Sequence, residues 1–259
     1  MNEDFLSEKK IGLALGGGAA LGGAHLGVLR ALKEHGIEAE FITGTSVGAL
    51  VAAMYAFGVP LEKMEALARK LNWLDIAGLS PSRYALLTNK KMTKLLEDEI
   101  GKVTFEEAPL PLAMLATDIS NGQKVVLQSG SIQEATMAST CIPGVFNPVT
   151  IEGRMLVDGG IVENVPVSPL RPMGAQTIIA VDLQSGTTHA QPDHIVDVMM
   201  NSFYFLLNSL SSLQNQEADV VIKPDLSDFS MARMNKMDDL MEAGYQEAQK
   251  VLTKLKARK

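Results

Sequence analysis

Gly44-Thr45-Ser46-Val47-Gly48 constrains this chain more than any other stretch. The pattern G-x-S-x-G lies between a short apolar strand over 39–43 and a helical run over 49–57 that stops at Gly58, with Pro60 beyond. So tight a strand-to-helix turn needs small neighbours, because a side chain at Gly44 or Gly48 would crowd the backbone. The serine hydroxyl is then exposed beside a helix N-terminus, the geometry of a nucleophile elbow. The pentapeptide alone reads as a glycine turn with an incidental serine. Its flanks favour the elbow.

An elbow of this kind needs a sheet to project from, and the rest of the chain supplies one. Residues 11–15 form a buried strand, followed by a glycine loop and a helix over 24–35. The elbow strand and helix come next, and then a helix over 61–71 with charges on one face. Further strands fall at 110–118, 124–128 and 177–183. Alternation of this kind predicts an α/β fold with helices on both faces of the sheet. Residues 236–256, within a C-terminal helical segment 236–259, place Leu240, Met241, Tyr245, Ala248, Val251 and Leu252 on one stripe. Neither an internal repeat nor a low-complexity linker interrupts residues 1–259, so a single domain is expected. Two segments break the rhythm. Residues 72–89 mix Trp73, Leu74, Ile76, Tyr84 and Leu86 without a period, as a cap over the carboxyl edge of the sheet does. Residues 198–210 are rich in Met, Phe and Leu and read equally as core or as a wall contacting an acyl chain.

Composition removes several classes of function. The 259 residues are 46% hydrophobic and carry a formal charge of −7, which leaves no basic face for nucleic-acid phosphates. Cys141 is the one cysteine, so no intramolecular disulfide forms, and its setting reads as a small buried residue rather than a nucleophile. The first ten residues are polar and lack the apolar core of a secretory signal. The longest apolar run, 195–213, is broken by Asp197, Asn201 and Asn208 and does not span a bilayer. A cytoplasmic protein is expected, with peripheral membrane contact through apolar residues. No Cys/His cluster suggests a metal, and no cofactor is required.

The serine needs an anion-stabilising partner and a base. Gly16-Gly17-Gly18-Ala19-Ala20-Leu21-Gly22 offers backbone N–H groups near a helix N-terminus. Its spacing is neither the dinucleotide fingerprint nor a Walker A loop, which leaves an oxyanion hole as the functional reading. Among the histidines, His25 follows the glycine loop, His35 precedes Gly36 at a helix end, and His189 and His194 flank a polar loop. None has the strand-and-turn context of a triad histidine. Asp158, after an apolar strand and before Gly159-Gly160, is the better base, although Asp-Gly-Gly by itself is a plain turn.

In order and spacing, the GGG loop, the G-x-S-x-G elbow and the Asp158-Gly159-Gly160-x-x-x-Asn164-x-Pro166 motif resemble the bacterial patatin-like phospholipases. The resemblance runs from Ile11 to Asp225 and includes the Cys141-Ile142-Pro143-Gly144-Val145-Phe146 approach to Asp158. It implies a three-layer α/β/α sandwich with a mainly parallel central sheet. It also implies a Ser46–Asp158 dyad without histidine, and an oxyanion hole from the backbone of Gly17, Gly18 and Ala19. Gly16, Gly22, Gly44, Gly48, Gly159 and Gly160 support these motifs. Two residues depart from the family. Ala19 stands where the family has glycine, a change that a residue with φ < 0 tolerates. Leu21 stands where the family has a basic residue, and is expected either to border the ester, disfavouring phospholipid, or to point into the core. The implied activity is hydrolysis of a lipid carboxylic ester (phospholipase, lysophospholipase or esterase). An acyltransferase with a histidine near Ser46, or a non-catalytic lipid-binding regulator with a relict dyad, are the rival readings.

Overall fold

Hydrophobic strands flanked by amphipathic helices assemble into a central sheet covered on both faces. The computed structural model describes residues 9–70, 78–79, 87–184, 191–229 and 237–257. The strands are β1 (Ile11–Leu15), β2 (Phe41–Thr45), β3 (Gly78–Leu79), β4 (Leu87–Thr88), β5 (Leu112–Asp118), β6 (Gln123–Leu127), β7 (Val149–Ile151), β8 (Arg154–Asp158), β9 (Thr177–Val181) and β10 (Val220–Ile222). The helices are α1 (Gly23–Glu34), α2 (Val47–Ala56), α3 (Leu61–Lys70), α4 (Lys90–Ile100), α5 (Ile132–Ser139), α6 (Leu170–Met173), α7 (Ile195–Gln214) and α8 (Met237–Ala257).

The main sheet runs β10-β9-β1-β2-β5-β8-β7, with β6 also on β5. Its β10-β9-β1-β2-β5 part is parallel, and β5, β6, β7 and β8 pair antiparallel. Strands β1, β5 and β9 are buried at every residue, as strands covered on both faces must be. In the register, Leu15 lies beside both Gly44 and Val181. The loops leaving β1, β2 and β9 therefore issue side by side at the carboxyl edge, where α/β sheets place their sites.

The ends of the chain are joined by α8 lying on α1. A Cβ at Gly27 would sit 1.8 Å from Met241 O, and one at Gly244 would sit 2.0 Å from Ala24 O, so the two backbones touch where only glycine fits. Leu240, Met241, Ala248 and Leu252 of the expected stripe are buried there. The Tyr245 hydroxyl donates to Glu34 (2.7 Å), and Arg30 stacks 4.6 Å over the Tyr245 ring.

Boundaries of the elements read from the sequence agree with the structure to within two residues. Four helices were not read as such: α4, α5, α6 and α7. Of the expected cap at 72–89, residues 72–77 and 80–86 lie outside the described residues, while β3 and β4 pair antiparallel. Among the described residues, no helix is long and apolar enough to cross a membrane.

Candidate active site

Ser46 sits between β2 and α2 with φ 55° and ψ −126°, a strained conformation for a residue with a side chain. Its surroundings impose this geometry. The Ser46 N–H donates to Ser139 Oγ (2.9 Å), and a Cβ at Gly48 would fall 2.1 Å from Leu15 O. The hydroxyls of Thr43 and Thr45 donate to the carbonyls of Pro166 (2.5 Å) and Glu163 (2.9 Å), tying the elbow to the segment that follows Asp158.

Asp158 closes β8. Its N–H donates to Cys141 O (2.8 Å), and its carbonyl accepts from the Thr117 hydroxyl (2.9 Å). Oδ1 accepts from Gly160 N–H (2.8 Å), while Oδ2 makes no regular hydrogen bond among the described residues. Burial pushes the carboxyl up from 3.8 to about 7. The Ser46 hydroxyl and the Gly160 N–H pull the other way, which puts Ser46 against this carboxyl. Cys141 is buried beside it, its thiol donating to Asn147 O and pushed up to about 12 by burial and by the Asp158 charge. A thiol so held is not a nucleophile at neutral pH.

The glycine loop is clamped from beneath. Gly16 O accepts from His25 Nε2 (2.8 Å), and Gly17 N–H donates to Asn164 O (3.1 Å), so both ends of that peptide are satisfied. Gly17 O accepts from Gln184 Nε2 (3.1 Å). The C=O and N–H of a trans peptide point opposite ways, so this bond turns the Gly18 N–H away from Gln184. The N–H groups of Gly18 and Ala19 meet no acceptor among the described residues. Of the three residues expected to donate, Gly17 is thus directed elsewhere.

His25 is fully buried and its pKa is lowered to about 4 by that burial. It is neutral at pH 7, and the carbonyl it faces assigns the proton to Nε2. His35 bonds Gln249 (2.7 Å), and His194 is exposed at the start of α7. Among the described residues, no histidine bonds Ser46 or Asp158; His189 lies outside them. Gln184 was not singled out from the sequence. Its only local signal is its place just past the carboxyl end of a central strand.

Of the loop's two departures from the family, one falls to the second of its two alternatives and the other is corrected. Leu21 is completely buried in the hydrophobic core and does not border the site, because the short 3-10 turn Ala19–Gly22 aims it inward. Ala19 has φ 48°, not φ < 0, so alanine here occupies the left-handed region that the family's glycine takes without strain.

From Ser46, an apolar cavity of about 70 Å³ runs between α2, α3 and α4. Among the described residues, Ser46 and Thr140 supply the only polar side chains on its wall. On the opposite side, α7 backs the aspartate: Leu207 packs where a Cβ on Gly160 would go, and Ser211 accepts from Asn164 Nδ2 (2.9 Å).

Fold and site together define an α/β sandwich built around a serine elbow that faces a buried carboxyl. Known proteins of this kind match the chain. The patatin-like phospholipase family model covers residues 13–171. An uncharacterized NTE family protein of Mycobacterium tuberculosis is 35% identical over 210 residues, 80% of this chain and 58% of that protein. Lysophospholipase NTE1 of Scheffersomyces stipitis is 25% identical over 96% of this chain, which spans only 18% of the relative. Among solved structures, VipD of Legionella pneumophila superposes with a TM-score of 0.64 at 16% identity, over 96% of this chain and 66% of that one. The ExoU–SpcU complex of Pseudomonas aeruginosa gives 0.51 at 19% identity, over 95% and 51%. These two likenesses show the shared fold. The chain belongs to the patatin-like phospholipase family.

Proposed function

We propose that this protein is a serine hydrolase of lipid carboxylic esters, with Ser46 as nucleophile and Asp158 as its base. The observation that carries the reading is the Ser46 hydroxyl set against a buried carboxyl pushed up to about 7, at the mouth of an apolar cavity. Ser46 Oγ attacks the ester carbonyl as its proton passes to Asp158. The N–H groups of Gly18 and Ala19 hold the oxyanion, the protonated aspartic acid returns its proton to the leaving alcohol, and water cleaves the acyl-enzyme by the reverse proton route. An ordinary carboxylate is a weak base near 3.9, and burial brings it to a strength suited to neutral pH. His25 and Gln184 position the donor loop from below. The acyltransferase reading finds no histidine at Ser46 among the described residues. The relict-dyad reading rested on Leu21, which is core. Packing of α8 on α1 supports one folding unit over the whole chain.

A fluorophosphonate probe tests this assignment. The wild-type protein is expected to be labelled at Ser46 and the Ser46→Ala variant to remain unlabelled. A folded wild type that resists the probe overturns the proposal.

The substrate is proposed to be met at a lipid surface. Helix α7 exposes Ile195, Val198, Met199, Leu206 and Leu213, while its other face backs Asp158 through Leu207 and Ser211. The hydroxyls of Ser202 and Ser209, in the same stripe, donate to Val198 O (2.7 Å) and Phe205 O (2.9 Å) within the helix, which lowers their demand for water. Asp197 is the only charged residue in the helix, so contact is expected with uncharged or zwitterionic lipid rather than anionic lipid. Turnover per enzyme should rise as a phospholipid substrate passes its critical micelle concentration. A smooth hyperbola through that point would argue against surface contact.

A further inference from the structure

We infer that Met64 is a gate that sets the length of acyl chain this protein accepts. The inference rests on Ser46 as the site of acyl transfer and goes beyond it to the class of acyl group. The cavity that starts at Ser46 follows one face of α2, past Val47, Leu50 and Met54. That face extends ~10 Å along the helix axis at 1.5 Å per residue. Met54 is the last residue of α2 on its wall, and Met64 of α3 lines it as well.

A second, larger space of about 560 Å³ lies further along the same helix. Tyr55, Gly58 and Val59 line it from the end of α2 and the turn after it, and Leu29 and Ile37 from the region of α1. It opens to solvent beside the exposed Lys33 and Glu38. Among the described residues, Met64 is the one common to both walls.

Met64 is 1% exposed and sits in the first turn of α3, its N–H anchored to Pro60 O (3.0 Å). Its backbone is therefore fixed, while its side chain, unbranched with three rotatable bonds, is the type best able to yield to a guest. With Met64 in place, the inner cavity has roughly half the 150 Å³ that takes a benzene ring, so it suits a short, straight chain. A longer chain must displace the Met64 thioether to reach the outer space. The chemical class selected is an unbranched acyl ester of short to medium length. The outer pocket, walled by Leu29, Ile37, Val59 and Leu110 with Lys33 and Glu38 among its other residues, provides room for longer tails once the gate is open.

The test is the ratio of kcat/KM among p-nitrophenyl butyrate, octanoate and palmitate for the full chain and two variants. Met64→Ala joins the two spaces and should raise the palmitate-to-octanoate ratio at least about tenfold. Met64→Phe thickens the partition and should lower the octanoate-to-butyrate ratio by about tenfold, the scale on which a few methylenes are discriminated. Ratios cancel a general loss of folded enzyme, and the two variants change the side-chain volume in opposite senses. Identical ratios in all three proteins overturn the gate. If the wild type hydrolyses none of these esters, the failure belongs to the Ser46 reading. The gate is then read by titrating octanoate and palmitate into the Ser46→Ala protein with and without Met64→Ala. A preference for palmitate gained only in the double variant supports the gate, and unchanged relative affinities overturn it.

Discussion

Ser46→Ala is expected to lower ester hydrolysis by about 10⁴- to 10⁶-fold, Asp158→Ala to reach nearly the same floor, and the double variant to fall no further. The equality follows from the geometry. Without the carboxyl, Ser46 keeps its strained backbone, but nothing takes its proton. Without the hydroxyl, Asp158 has no proton to take. What survives in either case is substrate binding and the backbone donors, which both variants share. Activity should also survive chelators, because no step calls for a metal. A steady-state assay on a soluble ester, with the fold of each variant checked by circular dichroism, decides it. If Asp158→Ala kept most of the turnover while substitution of a histidine abolished it, the dyad would be wrong.

The second large effect is on stability, and it opposes function. Asp158 has a folded-state pKa of about 7 against 3.8 for a free side chain, chiefly because its carboxylate is buried. Between these two values the folded protein binds more protons at this site than the unfolded chain. Stability from this group is therefore fully present below pH 3.8 and is lost as pH rises through 7. The gap corresponds to about 4 kcal/mol. Asp158→Asn keeps an oxygen for the Gly160 N–H and removes the charge. It should be inactive, and at pH 8 it should be more stable than wild type by up to about 4 kcal/mol, with the advantage fading toward pH 4. His25, with its pKa lowered to about 4 by burial, makes both proteins less stable as pH falls from 6.5 to 4, and so cancels in the comparison. Urea unfolding at pH 4, 5.5 and 8 measures the difference, and an equal effect at all three values would deny the buried charge. The same shift predicts that wild-type kcat/KM climbs with an apparent pKa of about 7 as Asp158 becomes the carboxylate that accepts the serine proton. A strained serine and a buried carboxyl both cost stability, as sites organised for chemistry commonly do.

Much of this architecture was written in local pattern. The short, mostly apolar runs IGLAL and TIIAV have the length and β-branched content of strands covered on both faces, where a buried helix would run longer. The G-x-S-x-G turn is nearly as local: Gly44 is required by the backbone of Gly48 and Ala49 in the same turn, Gly48 by Leu15 one strand away, and the serine conformation by the turn itself. Some elements were legible and passed over. Ser131 three residues before Glu134 is an N-cap signal for α5, and Met92, Leu95 and Leu96 have the helical spacing of α4.

Other features were decided only when the chain closed on itself. Which way Leu21 points depends on a single 3-10 turn, and one residue of rotation separates a site residue from a core residue. Which N–H of the glycine loop is free depends on Asn164 O and on Gln184 Nε2, the latter 167 residues away in sequence. The basicity of Asp158 comes from the atoms that exclude water around it, including those of α7, and Met64 becomes a partition because two spaces happen to meet at its side chain. Sequence by itself determined most of the elements, their order and the two residues proposed to react, because backbone sterics and hydrophobic period act over a few neighbours. Donor orientation, proton affinity and cavity shape were left to the tertiary structure, because hydrogen-bond partners, desolvation and packing arise between residues that only the fold brings together.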